Sequence, residues 1–171
     1  MVGGMQEISL GAGCTTGSAI HEIGHAVGLW HEQSREDRDR FVRILWANIQ
    51  DQMRHNFNQH ITDGDDIGAY DFGSIMHYPT HAFSRNGQPT IEPIGGEAIG
   101  QRTGLSAGDI AAVRSMYPSG LGLIAYGWDG TKMTTKWGTS DIGEGSGALS
   151  WLVADVDGDG KAEFLQPWDS P

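Results

Sequence analysis

Apolar and polar positions divide the chain into segments of different period. QEISL, residues 6–10, is a short β-type run that stops at Gly11. Thr16-Gly17-Ser18 then supplies cap-type residues ahead of an apolar-periodic stretch from Ala19 to Leu29, so strand, turn and helix are predicted in that order. SREDRDR, residues 34–40, follows as a charged loop or irregular segment. FVRILWANI, residues 41–49, fits a strand running into a helix, and periodicity alone does not settle where one becomes the other. GLSAGDIAAVRSMY, residues 104–117, reads as a second helix, with Ser106 as N-cap and Ile110, Val113 and Tyr117 at helical spacing. Pro118-Ser119-Gly120 breaks it.

From Leu121 the pattern changes to short aromatic and β-branched runs separated by Asp-Gly and Gly-rich turns. Such runs predict a small meander of about four strands. The chain is therefore expected to be α+β, with a boundary near residue 119 between a mixed domain at 1–118 and a β tail at 119–171. With 171 residues, 38% hydrophobic and 19% charged, one packed domain and a small second one are affordable in a soluble protein.

The net charge of -11 is spread along the sequence and leaves no basic stripe, which argues against a nucleic-acid partner. No apolar run approaches the roughly 20 residues that span a bilayer. The start, MVGGMQEISL, has neither the basic nor the apolar region of a signal peptide. A single cysteine, Cys14, rules out an internal disulfide, and taken alone favours a reducing compartment or indifference to it.

Candidate chemistry concentrates in HEIGHAVGLWHEQ, residues 21–33. On a helix, His21 and His25 are one turn apart and project from one face, where both can reach a single metal ion. Gly28 can take a positive φ and let the chain leave the helix sharply, so that His31 comes round as a third ligand. Three neutral imidazoles suit Zn²⁺ and leave its fourth position open for water, the arrangement of a catalytic site. Glu22 is rotated by about a hundred degrees from His21, so its carboxylate can flank the metal and accept the proton of that water. The blander alternative, scattered histidines on an ordinary helix, applies to a bare HExxH more than to the extended pattern.

HEIGHAVGLWH fits the HExxHxxGxxH pattern of the metzincin zinc endopeptidases, and with Glu32 directly after the last histidine the chain resembles the astacin branch. SIMHY, residues 74–78, would by itself be a buried turn; beside the zinc motif it resembles the astacin Met-turn. The resemblance implies that Met76 forms an apolar floor beneath the metal. It also implies that Tyr78 is a further zinc ligand that swings away to stabilise the oxyanion. It covers most of residues 4–118, including SREDRDRFVRILWANI and IGQRTGLSAGDIAAVRSMYP.

In the family Glu32 would help bind a new N-terminus, and Cys14 stands where a half-cystine has its partner upstream. The expectation is thus a metzincin-type protease lobe with a truncated upper sheet, from a secreted protein, acting on protein or peptide substrates. His55, His60, His77 and His81 have no ligand spacing of their own and are expected at the surface or in support of the site.

In DVDGDGKAEF, the alternating carboxylates of Asp155, Asp157 and Asp159 before Gly160 suit a hard cation such as Ca²⁺, the alternative being a solvated acidic turn. An EF-hand would need an acidic residue where Gln166 stands, and the flanks look like strands. The tail resembles one FG-GAP or VCBS-type repeat, a propeller-blade unit, which needs further repeats as neighbours. Trp128, Trp137, Trp151 and Trp168 are then packing residues of that unit rather than a sugar-binding platform. Two functions stay open: a zinc endopeptidase, and a catalytically silent fragment serving calcium-dependent adhesion or scaffolding.

Overall fold

The structure is a computed structural model that describes residues 14–117 and the backbone of residues 6–7 and of five strands between Leu121 and Asp169. In chain order the regular elements are β1 (Gln6–Glu7), α1 (Thr16–Ala26), β2 (Val42–Ile44), β3 (Ile91–Pro93), α2 (Ala107–Met116), β4 (Leu121–Trp128), β5 (Met133–Gly138), β6 (Gly147–Ala148), β7 (Leu152–Ala154) and β8 (Glu163–Asp169). They fall into two compact units, Met1–Gly28 with Val113–Pro171, and Leu29–Ala112. No helix among the described residues is long and apolar enough to cross a membrane.

In the first unit, α1 begins one residue earlier than the cap-type triplet implied. Thr15 is the N-cap, its hydroxyl accepting the Ser18 N–H at 3.2 Å, which satisfies one of the four donors a helix start leaves open. The helix also stops short of Leu29. Gly28, at φ 105°, donates its N–H to the His25 carbonyl at 3.0 Å and turns the chain out of the helix. The C-terminal end is anchored by Tyr117, whose hydroxyl donates to the Val27 carbonyl at 3.0 Å. Ile23, Val27, Val113, Met116 and Tyr117 close into one apolar cluster around that bond.

The strands of the tail do not pair as the expected meander. Sequential neighbours β4 and β5 pair antiparallel, but β8 returns to the other side of β4, giving the order β1-β7-β8-β4-β5 with β6 on β8. β1 joins this sheet parallel to β7. A meander assumes that each turn links spatial neighbours, and turn residues alone do not specify where a longer connection brings the chain back.

The second unit has little regular structure. β2 and β3 pair antiparallel, with Val42 opposite Pro93 and Ile44 opposite Ile91. Val42, Ile49, Phe57, Tyr70, Tyr78 and Ile91 form the core, with Phe41, Phe72, Phe83 and Ile99 packed against it. The strand-to-helix reading of FVRILWANI resolves into β2 and a single 3₁₀ turn at Trp46–Asn48. SREDRDR is irregular as expected, yet it is not a solvated loop. Arg38 is buried and donates to the carbonyls of Gln33 and Phe57, while Arg35 pairs with both oxygens of Asp37 and donates to the Ile67 and Gly68 carbonyls. Each guanidinium thus satisfies backbone acceptors that no helix or sheet serves.

α2 starts at the expected cap, but Ile110 is 39% exposed, whereas Val113 and Tyr117 turn inward. Spacing placed these three on one face; only its C-terminal part is covered.

Gly100 sits at φ +81°, and a Cβ there would lie 2.3 Å from the Cα of Pro79, next to Tyr78. Gly100→Ala therefore combines a left-handed conformation with a backbone clash and should destabilise the chain by about 1–3 kcal/mol. Chemical denaturation checks this, and a variant as stable as the parent would refute the close approach.

Candidate metal centre

Local helical geometry explains the first two histidines. The rings of His21 and His25 lie 4.7 Å apart at 84°, His21 buried and His25 half-buried, while Glu22 between them is exposed. His31 follows the Gly28 break, and the three histidines form a group whose ligand atoms all lie within 4.8 Å of one another. An all-imidazole donor set at this spacing fits Zn²⁺ and does not fit the hard cations that demand oxygen ligands.

His31 belongs to the second unit, where its ring packs on that of Tyr78 at 4.3 Å. Residues 74–78 form the predicted buried turn, and its anchors are polar. The His77 N–H donates to the Ser74 carbonyl at 3.2 Å and the Met76 N–H to the Ser74 hydroxyl at 3.0 Å. Glu32 holds the turn from one side: its N–H donates to the Met76 carbonyl at 3.3 Å, and its carboxylate accepts the Asp71 N–H at 2.7 Å. Burial pushes the Glu32 carboxyl up to about 7, against the lowering effect of the Asp71 N–H and of Arg35. Met76 itself is buried, and Tyr78 is a member of the apolar core.

A second carboxylate, which sequence reading passed over, holds the turn from the other side. Asp109 is buried and accepts the Ser74 hydroxyl at 2.6 Å, the Ile75 N–H at 2.9 Å and the Ser106 N–H at 2.8 Å. Its own N–H donates to the Ser106 hydroxyl at 2.9 Å, so Ser106 and Asp109 form a reciprocal capping box at the start of α2. The Ser106 hydroxyl in turn donates to Asp71 at 2.6 Å. The S-x-x-D spacing was legible as a cap. That its carboxylate would also reach Ser74 and Ile75, more than thirty residues away, was not.

His77 is buried within the turn. Its Nε2 accepts the Tyr70 hydroxyl at 2.8 Å and its Nδ1 donates to the Tyr78 carbonyl at 2.8 Å, so both nitrogens are engaged. Burial holds it down to about 4, which keeps it neutral. Its carbonyl accepts from Arg102 at 3.1 Å. Among the other histidines, His55 and His81 are exposed, and His60 stacks on Trp30 at 3.8 Å while bonding Asp63 at 3.0 Å. Cys14 is an exposed free thiol. Asp155, Asp157 and Asp159 lie outside the described residues.

The astacin family, peptidase family M12A, matches residues 1–118. The zinc metalloproteinase nas-13 of Caenorhabditis elegans is 48% identical over 120 residues, covering 68% of this chain and 27% of that protein. The human meprin A subunit beta is 42% identical over 120 residues, covering 67% and 17% respectively. The solved structure of high choriolytic enzyme 1, a hatching enzyme zinc-protease from the medaka Oryzias latipes, superposes with a TM-score of 0.55 at 44% identity. That match covers 60% of this chain and 52% of the other. The chain thus spans about a quarter, 27%, of the length of nas-13 and less of meprin.

Asp109→Ala leaves two buried donors of the Met-containing turn without acceptors and should cost about 3 kcal/mol. Ser106→Ala, which removes mainly the cap, should cost about 1 kcal/mol. Urea denaturation of both variants tests the difference, and equal losses would show that Asp109 acts only as a cap.

Proposed function

The chain belongs to the astacin family, and from that premise we propose that it is a zinc-dependent endopeptidase that hydrolyses peptide bonds in protein or peptide substrates. The observation that carries the reading is the group of three imidazoles at His21, His25 and His31. These residues would hold the ion. Bound there, Zn²⁺ supplies Lewis acidity that makes water nucleophilic near neutral pH.

Within this proposal the chain's own residues carry the proton and the charge. Glu22, exposed beside two histidines of the group, takes the proton of the attacking water as the oxygen–carbon bond forms. It returns that proton to the amine nitrogen as the carbon–nitrogen bond breaks. Tyr78, whose ring lies against His31, donates its hydroxyl hydrogen to the developing oxyanion. Gly28 supports the arrangement by ending α1, and Glu32 and Met76 by fixing the turn that leads to Tyr78. Residues 1–118 constitute the peptidase domain, and export from the cell is part of the same proposal, supported by the family.

Cleavage of a quenched fluorescent peptide library by the zinc-loaded chain tests the reading, with Glu22→Ala and His25→Ala as variants. Glu22→Ala should retain zinc and lose about 10²–10⁴ in rate, while His25→Ala should lose the metal itself. Cleavage unchanged by Glu22→Ala would overturn the assignment of the base. A folded, zinc-loaded chain without activity would favour the silent fragment.

The tail carries the finer element of the proposal. Residues 119–171 are read as one FG-GAP or VCBS-type repeat in which Asp155, Asp157 and Asp159 hold Ca²⁺, supported by the alternation of carboxylates before Gly160. Calorimetric titration with millimolar Ca²⁺ should show saturable binding that Asp157→Ala abolishes, and heats no larger than dilution would remove the calcium site.

A further inference from the structure

Gln33 is fully buried, and its carboxamide is used at one end only. Its Oε1 accepts the Tyr78 N–H at 3.0 Å, while its Nε2 has no hydrogen-bond partner among the described residues. A buried polar group normally satisfies both ends, so the retained bond marks what this side chain does. It supplies the acceptor for a main-chain amide that would otherwise be orphaned in the core.

Placement gives that bond a consequence. Gln33 lies two residues beyond His31, in the 3₁₀ turn Glu32–Ser34, and that turn is fixed at every residue. Glu32 donates to the Met76 carbonyl at 3.3 Å, the Gln33 carbonyl accepts from Arg38 at 3.0 Å, and the Ser34 carbonyl accepts the His60 N–H at 2.8 Å. One carboxamide oxygen therefore sets the Tyr78 main chain against the segment that carries His31, whose ring meets the tyrosine ring at 4.3 Å.

We propose that Gln33 is a positioning residue for Tyr78, its carboxamide oxygen fixing the Tyr78 amide so that the phenol hydroxyl is presented to the metal centre. The inference rests on the proposed function and on the reading of Tyr78 as a further metal ligand that the family resemblance implies. It makes Gln33 act only through Tyr78, and it makes the oxygen, not the nitrogen, the necessary atom.

The test replaces zinc with Cu²⁺ in the 171-residue chain, because a phenolate bound to Cu²⁺ gives a visible charge-transfer band that reports the tyrosine directly. Three variants are compared: Gln33→Met, which fills the space without an acceptor; Gln33→Asn, whose carboxamide is one methylene too short; and Gln33→Glu, which keeps an oxygen at the Oε1 position and loses no existing bond. The band should be present in the parent and in Gln33→Glu, absent in Tyr78→Phe, and reduced to a small fraction in Gln33→Met and Gln33→Asn at equal copper content.

In peptide hydrolysis, Gln33→Met should lower kcat by about 10–100-fold with KM little changed, and introduced into Tyr78→Phe it should cause no further loss. If Gln33→Met does not fold, as shown by near-ultraviolet circular dichroism, Gln33→Asn carries the comparison. A band that survives in Tyr78→Phe would overturn the reading of Tyr78 and this proposal with it. A band lost in Tyr78→Phe but intact in Gln33→Met and Gln33→Asn would overturn the proposal alone, as would additive losses of kcat.

Discussion

A helix that offers two metal ligands one turn apart cannot offer a third ten residues after the first. At 1.5 Å per residue the third side chain would sit about 15 Å along the axis from the first and face another direction. The chain must therefore leave the helix between His25 and His31, and Gly28 at φ 105° is where it does so. Positive φ costs glycine little and any other residue more, so the group of three histidines depends on a position where a side chain would be a liability. The Thr15 cap at one end of α1 and the Tyr117 hydroxyl at the other make the helix a defined object for that break to end.

Beyond the break, the second unit is held less by regular structure than by buried charge. Glu32 and Asp109 accept main-chain N–H groups of the segment 71–75, and Arg35, Arg38 and Arg102 donate to main-chain carbonyls. An irregular loop carries as many backbone donors and acceptors as a strand but no ladder to satisfy them. Charged side chains with several donors or acceptors each do this in little space. The resulting turn at 74–78 is held by named partners at the amides of Ile75, Met76, His77 and Tyr78 and at the carbonyls of Ser74, Met76 and Tyr78. Desolvation at Glu32 and His77 shows the cost of the same arrangement, since one carboxyl is driven up and one imidazole down by the burial that fixes them.

The tail is organised by a different principle. Its sheet brings β8 back against β4, the first strand of the tail, so that the chain's most distant tail strands become neighbours. Local turn chemistry favours the β4–β5 pairing, but long-range pairing sets the order of the rest.

The sequence by itself determined the parts of this protein that depend on short spacings. Offsets of four and ten among His21, His25 and His31, a glycine between the last two, and the S-x-x-D cap at Ser106 all express local geometry, and their consequences for α1 and α2 could be read without a fold. Composition likewise argued against a basic nucleic-acid surface, and no helix among the described residues is long and apolar enough to cross a membrane. Tertiary structure decided what those residues meet. Nothing local says that Asp109 reaches Ser74 and Ile75, that Gln33 takes the Tyr78 amide, that Ile110 stays exposed, or that arginines in a charged run are buried against carbonyls. The physical reason is that helical period and turn preference act over a few residues, whereas the partner of a buried polar group is whatever the folded chain brings within about 3 Å of it.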